Sequence, residues 1–160
     1  MLKSIDPLLG PDLLHALASM GHGDDLVIAD ANFPATACAR TTVLGVPLRV
    51  DRDTAPVMRA ILSVFPLDTM AEDAAARMAV TDDPDAVPDV QREVEREVER
   101  AHGAPLPMTP IERFAFYERA RHAFAIVHTA EPRFFGCFAF RKGVVAPSDR
   151  KGVVAPGAAA

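Results

Sequence analysis

Apolar positions recur along this chain with two different periods. Between Pro11 and Met20, Leu13, Leu14, Leu17 and Met20 fall on one stripe of a short helix, which Gly21 ends. Asp25-Leu-Val-Ile-Ala-Asp30 is instead a compact apolar run between acids, which predicts a buried strand followed by a loop at Asn32-Phe-Pro34. A second extended stretch is predicted around Thr42 to Val50, broken by Gly45 and Pro47, and a weaker one over Ala75 to Thr81. Val57, Ile61, Leu62 and Phe65 share one face of a helix over Thr54 to Phe65, and the prolines within Asp83 to Pro88 predict a loop.

The helical period is clearest over Pro88 to His102, where Val90, Val94 and Val98 recur every four residues among alternating Glu and Arg. Glu93–Arg96 and Glu97–Arg100 stand at i,i+3, a spacing that adds a few tenths of a kcal/mol per pair. The run reads as a solvated outer face, with a partner-binding surface as the alternative. Thr109-Pro110 reads as the cap and first position of a further helix reaching His122. Phe124 to Thr129 and Phe134 to Val144 read as strands close enough for a hairpin. In the second of them Phe134, Phe138 and Phe140 share one face, and Phe135, Cys137 and Ala139 the other. Seven of the nine phenylalanines lie between Phe114 and Phe140, which places much of the core or of a subunit interface there. Strands alternating with helices predict an α/β fold, a single-domain mixed sheet flanked by helices.

Composition narrows the function classes. A chain of 160 residues with 49% hydrophobic residues can bury a core as one domain, which excludes disorder for its body. A formal net charge of −5 without a basic stripe argues against nucleic acid. No apolar run is long enough for a bilayer, and Met1-Leu-Lys-Ser-Ile-Asp-Pro7 lacks the apolar stretch of a secretory signal. Cys38 and Cys137 fit two plain thiols in a reducing compartment, so a soluble, cytoplasmic protein is expected. Arg141-Lys-Gly-Val-Val-Ala-Pro147 recurs as Arg150-Lys-Gly-Val-Val-Ala-Pro156. This duplication predicts a domain over residues 1–144 and a disordered tail over 145–160.

Chemistry has few carriers here. There is no dinucleotide fingerprint and no phosphate-binding P-loop, and the five histidines lack metal-ligand spacing, so no cofactor or metal is expected. His22 stands between Gly21 and Gly23 at a helix-to-strand junction, either an exposed loop histidine or an uncrowded proton-transfer group. Asp30 ends the first strand and either points into a loop-lined pocket or caps the turn. Arg113 could grip hydroxyls or a carboxylate, or pair with Glu112 or Glu118, and Tyr117 could offer a hydroxyl to a pocket or fill the core.

Taken in order, several blocks resemble the RbsD/FucU family of sugar mutarotases, chiefly its L-fucose branch. They are Met1-Leu-Lys-Ser-Ile-Asp-Pro-Leu-Leu9, Leu17-Ala-Ser-Met-Gly-His-Gly-Asp24, Ile28-Ala-Asp-Ala-Asn-Phe-Pro-Ala35, Arg113-Phe-Ala-Phe-Tyr-Glu-Arg-Ala120, Phe124-Ala-Ile-Val127 and Arg141-Lys-Gly-Val144. The resemblance implies interconversion of the α and β anomers of a free monosaccharide, L-fucose above all, without metal or cofactor. By the same resemblance His22 matches a proton donor, and Asp30, Arg113 and the segment Phe135-Gly136-Cys137 match substrate-binding positions. It also implies a homo-oligomer, a decamer with pockets shared between subunits. At the last segment the family commonly has tyrosine and asparagine, so Phe135 lacks a hydroxyl and Cys137 replaces an amide with a weak donor. That departure keeps open a mutarotase for another sugar, such as ribose, and a non-catalytic sugar-binding protein.

Overall fold

A computed structural model describes residues 2–147; the rest of the expected tail lies outside the described residues. Along the described chain run α1 (Pro11–Ser19), β1 (Asp25–Ala29), α2 (Ala35–Ala39), β2 (Leu48–Val50), α3 (Thr54–Leu62) and β3 (Ala75–Met78). Then follow α4 (Asp89–His102), β4 (Thr109–Ile111), α5 (Arg113–Arg121), β5 (Ala125–Thr129) and β6 (Phe138–Arg141). The strands form one mixed sheet in the order β2-β5-β1-β6-β3-β4. β6 runs antiparallel to both its neighbours, β1 and β3, and the other pairs are parallel.

The central strand β1 is apolar on both faces because both are covered. Leu26 and Ile28 pack with Phe138 and Phe140 against Leu13, Leu17, Met58, Ile61, Val94 and Val98 of α1, α3 and α4. Val27 and Ala29 pack with Cys137 and Ala139 against Cys38, Ala39, Phe116 and Ala120 of α2 and α5. Alternation along β6 thus sends its phenylalanines to one layer and its small residues to the other. Phe134 lies outside this pattern and is exposed, since the strand begins only at Phe138.

Three expectations change. β5 and β6 form no hairpin: β1 lies between them, with Leu26 facing Ala125 on one side and Phe140 on the other. The segment that joins them, residues 130–137, is longer than a hairpin turn and forms a wall of the site instead. Thr109-Pro110 does not open a helix. It lies in β4 at the sheet edge, where a proline's missing N–H is tolerated, and α5 is capped two residues later by Glu112, which accepts from the amides of Phe114 (2.7 Å) and Ala115 (3.2 Å). α4 is not a solvated face throughout, since Gln91 is fully buried. Glu97, also buried, binds Arg59 at 2.7 Å and Arg100 at 2.6 Å, while Glu93 turns to Arg133 at 2.8 Å rather than to Arg96.

One close approach past the end of β6 matters for the site. A Cβ at Gly143 would press into the main chain of Leu67 and lie 2.8 Å from the Asp68 amide nitrogen, so only glycine fits. The contact is locked by Gly143 N donating to Pro66 O (2.9 Å) and Asp68 N donating to Arg141 O (3.0 Å), which fixes Asp68 against the sheet.

Candidate functional site

At the carboxyl end of β1 a cleft of about 260 Å³ opens, lined by Asp30, Asn32, Phe33, Met78, Thr81, Arg113, Tyr117, Phe134, Phe135 and Cys137. Carboxyl ends of parallel strands are where open α/β sheets bind ligands. Asp30 is buried there; its Oδ1 accepts from the Asn32 amide (2.9 Å) and its Oδ2 from the Cys137 thiol (3.3 Å). Burial pushes the Cys137 thiol well up, with the neighbouring Asp30 adding to it, so the sulfur keeps its proton and donates. The aspartate therefore both caps the turn and faces the cleft.

The wall beside Asp30 depends on an unusual backbone. Phe135 has φ +62°, in the left-handed region that a bulky residue seldom enters. Gly136 follows without room for a side chain, because a Cβ would lie 3.0 Å from Glu131 Cγ and 3.3 Å from Asp30 Cβ. Glu131, fully buried, accepts from the amides of Thr54 (3.3 Å) and Arg133 (3.1 Å) and from Arg133 Nε (2.7 Å). Burial opposes ionisation of this carboxyl, but the Arg133 side chain and these amides outweigh it and hold the group below the usual carboxylate range.

Arg113 stands exposed at the cleft mouth, its guanidinium 4.7 Å above the Phe114 ring, and among the described residues it forms no ion pair. Glu112 serves as the helix cap and Glu118 pairs with Arg121, so the two acids proposed as its partners are engaged elsewhere. Tyr117 packs edge-on against Phe33 at 5.3 Å and lines the cleft, with burial raising its phenol. Phe114 and Phe134 beside it are 62% and 72% exposed, an apolar rim around a polar opening.

His22 is elsewhere. Its loop is closed by Gly21 N donating to Asp24 Oδ2 (2.7 Å) and by Gly23, at φ +90°, donating to Lys142 O (2.9 Å). The imidazole is half-exposed, with Nε2 at 3.4 Å from Asp68 Oδ2. Asp68 is buried, and the Met70 amide donating to it at 2.9 Å, with His22 beside it, holds its carboxyl below the usual range against the effect of burial. His22 precedes β1 and Asp30 follows it, so a five-residue strand, roughly 17 Å at 3.3 Å per residue, separates them. Within one chain the structure brings together Asp30, Arg113, Phe135 and Cys137 and leaves His22 apart, with Asp68 rather than Asp30 against its ring. Among the described residues no group of three His, Cys, Asp or Glu side chains could hold a metal ion, and no helix is long and apolar enough to cross a membrane.

Residues 3–145 match the model of the RbsD / FucU transport protein family. The chain belongs to this family. Among RbsD/FucU relatives, the fucose mutarotase of Danio rerio is 41% identical over 94% of this chain and 98% of its own length. The crystal structure of protein Atu2016 superposes with a TM-score of 0.89 at 51% identity, over 91% of this chain and 97% of that one. The Streptococcus pneumoniae fucose mutarotase, solved in complex with L-fucose, superposes with a TM-score of 0.80 at 34% identity, over 91% and 100% of the two chains. The RbsD/FucU fold is thus shared across nearly the whole chain. Nothing local in the sequence ties Asp68 to His22; both loops are brought together on the Arg141–Gly143 segment, through Asp68 N to Arg141 O, Gly23 N to Lys142 O and the Gly143 contact.

Proposed function

We propose that this protein interconverts the α and β anomers of L-fucose by acid–base opening and closing of the pyranose ring. The observation that carries the reading is the match, across nearly the full chain, to fucose mutarotases, one of them solved with L-fucose bound. A monosaccharide-sized cleft with a buried carboxyl and a guanidinium unpaired among the described residues supports it. In the reaction the bond between C1 and the ring oxygen breaks as the ring oxygen gains a proton and the anomeric hydroxyl loses one. The open aldehyde then turns and recloses on its other face, and the protons return. His22 supplies the proton to the ring oxygen; Asp30 and Arg113 hold the hydroxyls, and the segment Phe135-Gly136-Cys137 walls the sugar.

This assignment needs two copies of the chain. His22 and Asp30 lie at opposite ends of β1, so the reading pairs the Asp30 cleft of one subunit with His22 of a neighbour, in a ring that family resemblance makes decameric. The apolar rim of Phe114 and Phe134 is the surface a neighbour would cover. Two free buried cysteines accord with work in the reducing cytoplasm. A second reading, turnover of another monosaccharide such as ribose, is favoured by Phe135 and by Cys137, whose thiol is engaged with Asp30 rather than offered to a sugar.

Saturation-transfer NMR between the anomeric protons of α- and β-L-fucose tests the proposal. Catalytic amounts of protein should speed the exchange. Acceleration of D-ribose alone would move the substrate, and binding without acceleration of any sugar would overturn the enzymatic reading.

Asp68 gives a further test. Asp68→Asn keeps an oxygen for the Met70 amide but removes the charge beside His22. The exchange kcat should fall by about tenfold with little change in KM, as loss of an orienting partner usually gives. Rates measured across L-fucose concentrations separate the two constants, and an unchanged kcat would remove Asp68 from the mechanism.

A further inference from the structure

Behind the cleft lies a fully buried side chain that the mechanism does not use. Gln91 projects from the inner face of α4, with all of its carboxamide engaged. Nε2 donates to Met78 O (2.8 Å) and to Phe135 O (2.9 Å), and Oε1 accepts from Arg77 Nη1 (3.0 Å). The amide has one possible orientation, because a guanidinium can only donate and the two carbonyls can only accept. Arg77 is itself buried, and its other partners are the carbonyls of Ala86 and Pro84, each at 3.1 Å, so its charge faces neutral acceptors. A cation on the oxygen side of an amide polarises it and strengthens the donors on the other side.

The two carbonyls belong to neighbouring segments, both of which line the cleft. Met78 ends β3, and Phe135 lies in the segment that leads into β6. These strands pair up to Arg77 and Phe138, with one more bond from Met78 N to Cys137 O (2.9 Å). Beyond that bond the ladder stops, and the Gln91 amide bridges the two chains where they diverge. Among the described residues no other group donates to the Phe135 carbonyl. Yet this residue holds a left-handed backbone, which needs support from its surroundings. The side chains of Phe135 and Cys137, which both line the cleft, depend on this turn.

We infer that Gln91 is the positioning residue of the sugar cleft: by bridging the Met78 and Phe135 carbonyls it sets the shape of the Phe135-Gly136-Cys137 wall, and through it the affinity for the sugar. The inference rests on the monosaccharide reading of the cleft. Gln91 does not line the cleft, and His22 lies at the other end of β1, so its loss should act on binding rather than on proton transfer.

The test is Gln91→Glu. The glutamate keeps an oxygen for Arg77, which it also neutralises, but presents a second oxygen to two carbonyls in place of two donors. Three readings are taken together: kcat and KM for L-fucose anomer exchange, the melting temperature, and iodoacetamide labelling of each cysteine followed by peptide mass spectrometry. KM should rise by about fivefold or more with kcat within about twofold of the parent, the pattern of lost binding. Cys137 should label several-fold faster, while Cys38, the other buried thiol, keeps its rate. Gln91→Leu, which loses the donors and the acceptor, should show the same pattern more strongly.

An unchanged KM with an unchanged Cys137 rate overturns the inference. So do both thiols becoming reactive together with a falling melting temperature, since that is general destabilisation. If the parent protein leaves L-fucose exchange unaccelerated, the proposed function fails instead. The ratio of Cys137 to Cys38 labelling, which needs no sugar, then still decides whether Gln91 holds the wall.

Discussion

His22→Ala should leave a folded, assembled protein that has lost L-fucose anomer exchange by about a hundredfold or more, the usual weight of a general acid. Folding should survive because the imidazole is half-exposed and its loop is closed by main-chain donors, Gly21 to Asp24 and Gly23 to Lys142, that do not involve the ring. Truncation opens no cavity in either core layer. It does leave Asp68 without its imidazole partner, but the Met70 amide still satisfies that carboxyl. The measurement is saturation transfer beside a thermal melt. Parent-like exchange in the variant would remove His22 from the chemistry, whereas equal loss of melting temperature and rate would make its role structural.

Mixing two inactive variants should restore activity. Asp30→Asn preserves the acceptor for Asn32 but removes the negative charge from the cleft, and His22→Ala removes the proton donor. If each pocket joins the cleft of one subunit to His22 of the next, a random co-assembly contains pockets in which both partners are intact. For equal amounts in a head-to-tail interface that fraction is about a quarter, so about a quarter of parental exchange should return. Each variant alone should remain near background. The geometry behind this is the length of β1, which keeps the two groups of one chain at opposite ends of a strand. Co-expression with two affinity tags and purification through both gives the mixed species. A rate no higher than the sum of the two variants measured alone would mean that His22 and Asp30 do not share a pocket across subunits.

Both predictions depend on positions that were visible along the chain and on a separation that was not. The Gly-His-Gly turn, the acid closing an apolar run and the arginine ahead of Phe114 stand out locally, because glycine, charge and burial leave marks within a few residues. The same holds for α1, β1 and α4, whose apolar periods are set by neighbours three, four or two residues away. α2 escaped notice because five residues of Ala-Thr-Ala-Cys-Ala show no period. The hairpin expected from β5 and β6 failed for a different reason. Strand pairing is a long-range choice, and β1, about a hundred residues earlier, is apolar on both faces and so takes the central place between them.

The site divides along the same line. Sequence alone carried the α/β class, a mixed sheet though not through the hairpin that suggested it, and Asp30, Arg113, Phe135 and Cys137, which line one cleft. It carried no sign that Asp68 would meet His22, that Glu97 would be buried under two arginines, or that Gln91 would reach Phe135. Each of these contacts joins segments whose approach is decided by the packing of helices on the sheet: Gly143 against Leu67, α4 against α3, and the 131–137 segment against α4. Local pattern determines which face of an element is buried, because that depends on the element's own period. Which polar groups are then buried together depends on all the elements at once, and only the tertiary structure decides it.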